Sequence, residues 1–238
     1  MKTMTGMLFS LLLLLCFSAG GVLNAQTFRA DGFVLELIDG FRSAIIVGFE
    51  GTERSINIPS HVTGGAVVVA IGDGAFNGRN LTGVTIPNSV RTIGDRAFSD
   101  NHLMNISIPF GVTRIGDQAF MRNRLTSAEI PDSVILIGNQ AFSGNRLTGI
   151  TIPNSMVTIG KQAFMNNQLT SVTILSNLAT VGDQAFRGNN ITSITMGGNV
   201  QIESTAFGNN FHIFYNNNRQ MGGIYTFDGR NWSFSERR

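Results

Sequence analysis

From about residue 55 to residue 210 the apolar positions of this chain recur every 22 residues, with the same polar residues between them. Ala-Phe pairs end at Phe76, Phe98, Phe120, Phe142, Phe164 and Phe186. An Ile-Gly or Val-Gly pair precedes each of the last five, from Ile93-Gly94 to Val181-Gly182. Asn101, Asn123, Asn145, Asn167 and Asn189 follow by three residues, and Leu103, Leu125, Leu147, Leu169 and Ile191 by five. A fixed period in this range means stacked repeats with one continuous core, rather than a globular centre.

Within one unit, Leu81 to His102, the apolar Leu81, Val84 and Ile86 alternate with polar or small residues, which predicts a short strand. Pro87 lacks an amide hydrogen and ends that strand, and Pro109, Pro131 and Pro153 repeat the stop. Val90 and Ile93 return apolar atoms inward on a second short strand. Gly94 is expected to take a positive φ at a corner. Asp95, like Asp73, Asp117, Asn139 and Asp183, is expected to cap one helical turn that carries Ala97-Phe98 inward, whereas Lys161 interrupts the series. Stacked at about 4.8 Å per repeat, the Phe and Leu positions become columns. The recurring Asn is placed to form a ladder of side-chain bonds to neighbouring backbone.

The open ends of such a stack need covering. Residues 26–54 hold two apolar runs, Phe33 to Ile38 and Ser43 to Val47, separated by Asp39-Gly40, and read as a hairpin that caps the first repeat. Ser55-Ile56-Asn57-Ile58-Pro59 is an irregular first copy, followed by an insertion from His61 to Val69. The pattern decays where Leu175 and Gly197 replace proline and Phe207 arrives 21 residues after Phe186. Beyond it, Phe211 to Tyr215, Gly223 to Phe227 and Trp232 to Phe234 are apolar runs divided by turn residues, which predicts a β-hairpin cap over 211–238. The predicted architecture is therefore a β-rich repeat solenoid, a right-handed curved stack of about six 22-residue repeats plus the irregular copy over 55–210, built on one sheet and capped at both ends.

The first 25 residues read as a secretion signal: Lys2, an apolar run from Leu8 to Phe17, and cleavage after Ala25. That run is too short for a stable membrane anchor. Cys16, the single cysteine, lies inside it. Lipidation there is the alternative, though Leu14 and Leu15 precede it where small residues are wanted. A chain cut after Ala25 has no cysteine, hence no disulfide, and depends on stacking for stability. Expected locations are the cell surface or the extracellular space, with the periplasm as alternative. Charged residues make up only 13% of the chain and the net charge is +2, with no block of like charge to suggest a nucleic-acid partner. His61, His102 and His212 are far apart along the stack, so no catalytic group, cofactor site or metal site is expected. Asp100 with His102 is too small a fragment to hold a metal.

The series Leu-Thr-Gly-Val-Thr-Ile-Pro, then Ser-Val-x-x-Ile-Gly-x-x-Ala-Phe-x-x-Asn, resembles the BspA-like, treponemal-type bacterial leucine-rich repeats over about residues 55–210. Leu81, Val84 and Ile86 fit the general leucine-rich opening, whereas Pro87-Asn88-Ser89-Val90 departs from its usual continuation, as is typical of this class. The resemblance implies a secreted or surface-exposed protein that binds other proteins without catalysis. Partners it implies are host matrix or plasma glycoproteins, or other bacterial surface proteins. It carries over no ligand-contact residues.

The outward strand positions make the candidate ligand face: Asn105, Ser107, Ser127, Glu129, Thr151, Ser171, Thr173, Ser193 and Thr195. They read either as an extended hydrogen-bonding surface for a protein or glycan, or as polar residues that only solvate a sheet. Arg122, Arg124 and Arg146 on adjacent repeats suit an acidic partner or a solvated loop.

Overall fold

The computed structural model describes residues 27–62, 64–174, 180–208 and 210–236. The expected signal segment, its cleavage point and Cys16 lie outside them. The chain winds into a β-solenoid of about 7 turns at the 22-residue spacing, with little helix. Each turn but the last supplies two strands among the described residues. The longer ones are Ser55–Asn57, Gly83–Thr85, Asn105–Ser107, Ser127–Glu129, Gly149–Ile152, Ser171–Ile174 and Ser193–Met196. The shorter ones begin at Val67–Ile71 and continue as the pairs Thr92–Ile93, Arg114–Ile115, Leu136–Ile137, Thr158–Ile159 and Thr180–Val181.

The unbroken sheet is built from the shorter strands, which corrects the expectation of a single sheet on the longer ones. These pair in parallel and join Thr27–Ala30, Phe33–Ile38 and Ser43–Phe49 in a nine-stranded sheet. The longer strands fall into three sets, with ladder breaks between Gly83–Thr85 and Asn105–Ser107 and between Ser127–Glu129 and Gly149–Ile152. Proline ends these strands without setting the breaks, since Ser55–Asn57 pairs with Gly83–Thr85 and Asn105–Ser107 with Ser127–Glu129 although proline follows all four. Where Gly197 replaces it, the amide donates to the Ile174 carbonyl at 2.8 Å, a bond that proline cannot make. The last three longer strands, including Gly149–Ile152 before Pro153, have four residues each and pair continuously.

The Phe column is as expected. From Phe76 to Phe207, seven buried rings stack with centroids 4.7–5.4 Å apart, close to the strand pitch. The asparagine ladder is tighter than the sequence suggests. Asn123 Oδ1 accepts from the Leu103 amide at 3.1 Å, while its Nδ2 donates to the Phe98 and Phe120 carbonyls at 2.8 and 3.2 Å. Asn101, Asn145, Asn167 and Asn189 make the same three contacts. Only a side chain with both a carbonyl and an NH₂ group can do this.

Two expectations about the corner fail together. No helical turn carries Phe98; residues 95–98 form a hydrogen-bonded turn. The carboxylate of Asp73 accepts from the Asp95 amide one repeat on at 2.7 Å, and Asp95 and Asp117 do the same for Asp117 and Asn139. The series thus links turns rather than capping helices. Asn139 accepts from the Lys161 amide at 2.8 Å, and lysine has no acceptor with which to continue. Gly94 does not take a positive φ. It is needed because the turns approach closely: a Cβ on Gly116 would lie 2.6 Å from the Gly94 carbonyl carbon. The left-handed backbone falls two residues later, at Arg96, Gln118, Gln140, Gln162 and Gln184, with φ of 55–59°. That conformation costs about 1–2 kcal/mol per residue. It also aligns the glutamines, whose amides bond in sequence at 2.6–2.9 Å from Gln118 to Gln184.

Both ends are closed by aromatics. Phe33 and Phe49 meet Phe76 at 6.3 and 5.7 Å with tilted or edge-on rings. At the other end Phe211–Asn217 is an α-helix, where the apolar run had suggested a strand. Its Phe211 sits edge-on to Phe207 at 5.1 Å and touches Tyr225 and Trp232 of the expected hairpin. A helix lets Phe211 and Tyr215 face inward while Ile213 between them faces out, whereas period-two alternation would put all three on one side. The hairpin strands, Gly223–Phe227 and Trp232–Glu236, extend the longer-strand sheet antiparallel to Ser193–Met196. Among the described residues no helix is long and apolar enough to cross a membrane.

Replacing Asn123 by Ala strands one buried amide and removes a donor from two buried carbonyls. At about 1–3 kcal/mol for the orphaned amide and about 0.5–1.5 kcal/mol for each carbonyl bond lost, equilibrium urea unfolding should report a loss of about 2–5 kcal/mol, against under about 0.5 kcal/mol for the exposed Thr126→Ala. The chain's two tyrosines, Tyr215 and Tyr225, are both fully buried in the C-terminal cap. Burial raises both, and with Tyr215 close by it pushes Tyr225 up to about 12. A phenol raised above its unfolded value of about 10 contributes stability that is intact below that pH and declines between it and the folded value. Tyrosinate absorbance should therefore appear late, that of Tyr225 near pH 12, together with the change in Trp232 fluorescence. Ordinary titration near pH 10 with Trp232 unmoved would contradict this.

Candidate ligand-binding face

The outward positions of the longer strands form two rows by strand pairing. Asn105 lies beside Ser127 and Ser107 beside Glu129. Past the ladder break, Gly149, Ser171 and Ser193 align, as do Thr151, Thr173 and Thr195. Asn105, Ser107, Ser127, Glu129, Thr151 and Ser171 are exposed, whereas Thr173, Ser193 and Thr195 are half-buried among neighbouring strands. The inward partners Ile106, Ile150, Val172 and Ile194 are buried, so alternation fixes which side chains face out. All nine expected residues share one surface.

A groove of about 590 Å³ crosses this face where the ladder breaks. Ser127, Glu129, Gly149, Thr151, Ser171 and Thr173 line it, with Asp132 and Asn154 at the corner beyond the strands. Gly149 leaves the floor open, since a Cβ there would meet nothing nearer than Ser171 Oγ at 3.8 Å. Glu129 and Asp132 have no cation within ion-pair distance among the described residues. The groove thus offers hydroxyls and two carboxylates free to be paired.

Two features of the surface were not foreseen. The C-terminal hairpin lengthens it: Thr226 pairs with Ser193 and Ile224 with Thr195, and Ser233 lies opposite Thr226, their hydroxyls 2.6 Å apart. The alternation in Gly223–Phe227 was the available signal. Phe110, 82% exposed, stands one turn before Asp132 in a corner row otherwise filled by Asn88 and Asn154. Its departure from that row could have marked it.

No set of three His, Cys, Asp or Glu side chains converges as a metal site among the described residues. His102 and Asp100 share a cleft with Arg122, Arg124 and Arg146, but Asp100 is engaged by Ser99 Oγ at 2.7 Å and by Arg122 at 3.6 Å. The His61 ring lies 3.1 Å from Ser60 Oγ, away from Asp100 and His102.

Comparison with known proteins agrees with this geometry. The family described as BspA type leucine rich repeat region (6 copies) matches residues 52–123 and 91–218. The crystal structure of a Treponema pallidum leucine rich repeat protein superposes with a TM-score of 0.61 and 25% identity, covering 74% of this chain and 86% of that one. The pneumococcal vaccine antigen PcpA shares the fold at a TM-score of 0.50 and 15% identity, over 75% of this chain and 72% of its own. No curated protein matches. With the repeat pattern, the stacked turns and the family match all falling on the same residues, the chain belongs to the BspA type leucine rich repeat proteins.

Proposed function

We propose that this chain is a secreted or cell-surface interaction module that adheres to another protein through its repeat-strand face and works by binding alone. The observation that carries the reading is the groove at the ladder break, whose exposed Ser127, Glu129, Thr151 and Ser171 do little for the fold. Leucine-rich repeats are in general protein-interaction modules, which supports the class of partner. The expected signal over residues 1–25 supports export, with cleavage after Ala25. Matrix and plasma glycoproteins are the proposed partners, and other bacterial surface proteins the alternative. Phe110 supplies an exposed aromatic of the kind that anchors such contacts. The unpaired Glu129 and Asp132 favour a basic side chain opposite them.

Label-free binding of the full chain to fibronectin and fibrinogen at physiological salt tests this, with heat-unfolded protein as control. Saturable micromolar binding is expected. Ser127→Arg with Thr151→Arg should weaken it at least about tenfold, and Phe110→Ala by a similar factor, with unfolding midpoints nearly unchanged because all three positions are exposed. Equal binding by unfolded protein would mark the signal as nonspecific. No binding to either glycoprotein would refute host adhesion as tested and turn the search to a bacterial partner.

A further inference from the structure

Arg122, Arg124 and Arg146 fall together in one cleft of about 420 Å³ at the corner that leads into the strands, separate from the groove. Arg124 and Arg146 occupy the same position in consecutive turns, with His102 in that position one turn earlier. Stacking holds their backbones at roughly the strand spacing of about 5 Å. Like charges so close repel, and nothing in the cleft relieves them. Asp100 reaches only Arg122, at 3.6 Å, and among the described residues no carboxylate lies within ion-pair distance of Arg124 or Arg146. The cleft therefore keeps a net positive charge in a chain with few charges.

Arg122 adds a second oddity. Its φ is 53°, in the row of left-handed residues that other turns fill with Gly78, Asp100, Gly144, Asn166 and Gly188. Those types are the ones that take this conformation at low cost, and arginine is not. Its stem lies beside Gly144, where an added Cβ would meet Arg122 Cγ at 3.6 Å.

The floor of the cleft is already satisfied. Asn123 and Asn145 are about nine-tenths buried or more, and their amides are committed to phenylalanine carbonyls. Affinity must then come from the guanidinium rim, whose planar forks match the oxygens of a sulfate or phosphate ester. No Phe, Tyr or Trp lines the cleft and His102 is its single aromatic ring, which is short of the row of stacking platforms that single-stranded nucleic acid uses. Beyond Arg146 the same position continues as Gln168 and Asn190, neutral amides suited to sugar hydroxyls.

We infer that this cleft is an oxyanion-ester site for a sulfated polysaccharide, which lies along the stacking axis with sulfates between Arg124 and Arg146 and hydroxyls toward Gln168. The site is distinct from the strand face proposed above for protein partners.

The test is binding of the full chain to immobilised heparin and to fully desulfated heparin, with sodium sulfate, sodium phosphate, polyglutamate and a phosphoserine peptide as competitors. Binding to heparin that falls steeply with salt is expected, with little on the desulfated polymer. Arg124→Gln with Arg146→Gln should weaken it at least about tenfold and flatten the salt dependence, while Arg230→Gln, in the distant hairpin turn, should leave it within about twofold. Unchanged unfolding midpoints keep the comparison clean. Equal binding to desulfated heparin, insensitivity to the double substitution, or no binding would overturn the proposal. Stronger competition by polyglutamate or the phosphopeptide than by soluble heparin would overturn it in favour of an acidic or phosphorylated protein. Complete displacement by millimolar inorganic sulfate or phosphate would reduce the site to one for free anions and overturn the polysaccharide assignment.

Discussion

A turn tight enough to bring phenylalanine into the core leaves that residue's carbonyl buried, and an unpaired buried carbonyl is costly. The asparagine three residues on resolves this by donating to two such carbonyls at once, one in its own turn and one in the turn before. From Phe98 to Phe164 each carbonyl accepts from two asparagines. No turn is complete without its neighbours. That is why the chain is a stack and why its stability is a sum of couplings along one axis.

The same constraint frees the outside. The ring stack, the asparagine clips, the leucines and the close glycines fix every inward position. Turn-to-turn backbone bonds hold the rest of the perimeter, as where the Phe98 amide reaches the Ala119 carbonyl at 2.8 Å. Outward residues such as Ser127, Thr151 or Arg146 can then change without disturbing the register. A protein-facing groove and an arginine cleft fit on one small scaffold because neither has to hold the fold.

The columns were legible in the sequence because each depends on one residue type at a fixed spacing. Phe120, Asn123, Leu125 and Ile137 announce their roles wherever the period is seen. Roles set by the approach of the next turn were not legible. Gly94 reads as a corner glycine, but its purpose is clearance from Gly72 and Asp73, and Asp95 reads as a helix cap although it serves the following turn. The ladder breaks that create the groove arise between turns whose sequences follow the same pattern, so no single repeat reveals them. Phe211 to Tyr215 misled because a short apolar run does not distinguish helix from strand. For the candidate face, period-two alternation was enough to place all nine residues together, but not to show that the cap hairpin would prolong their surface.

Native-state amide hydrogen exchange tests the central claim most directly. If the asparagine clips unite the turns, the amides of Leu103, Leu125 and Leu147, with those of Phe120 and Phe142, exchange slowest and at one common rate, set by unfolding of the whole stack. Separate rates for successive turns, or Leu amides that exchange as fast as the exposed strand positions, would contradict it.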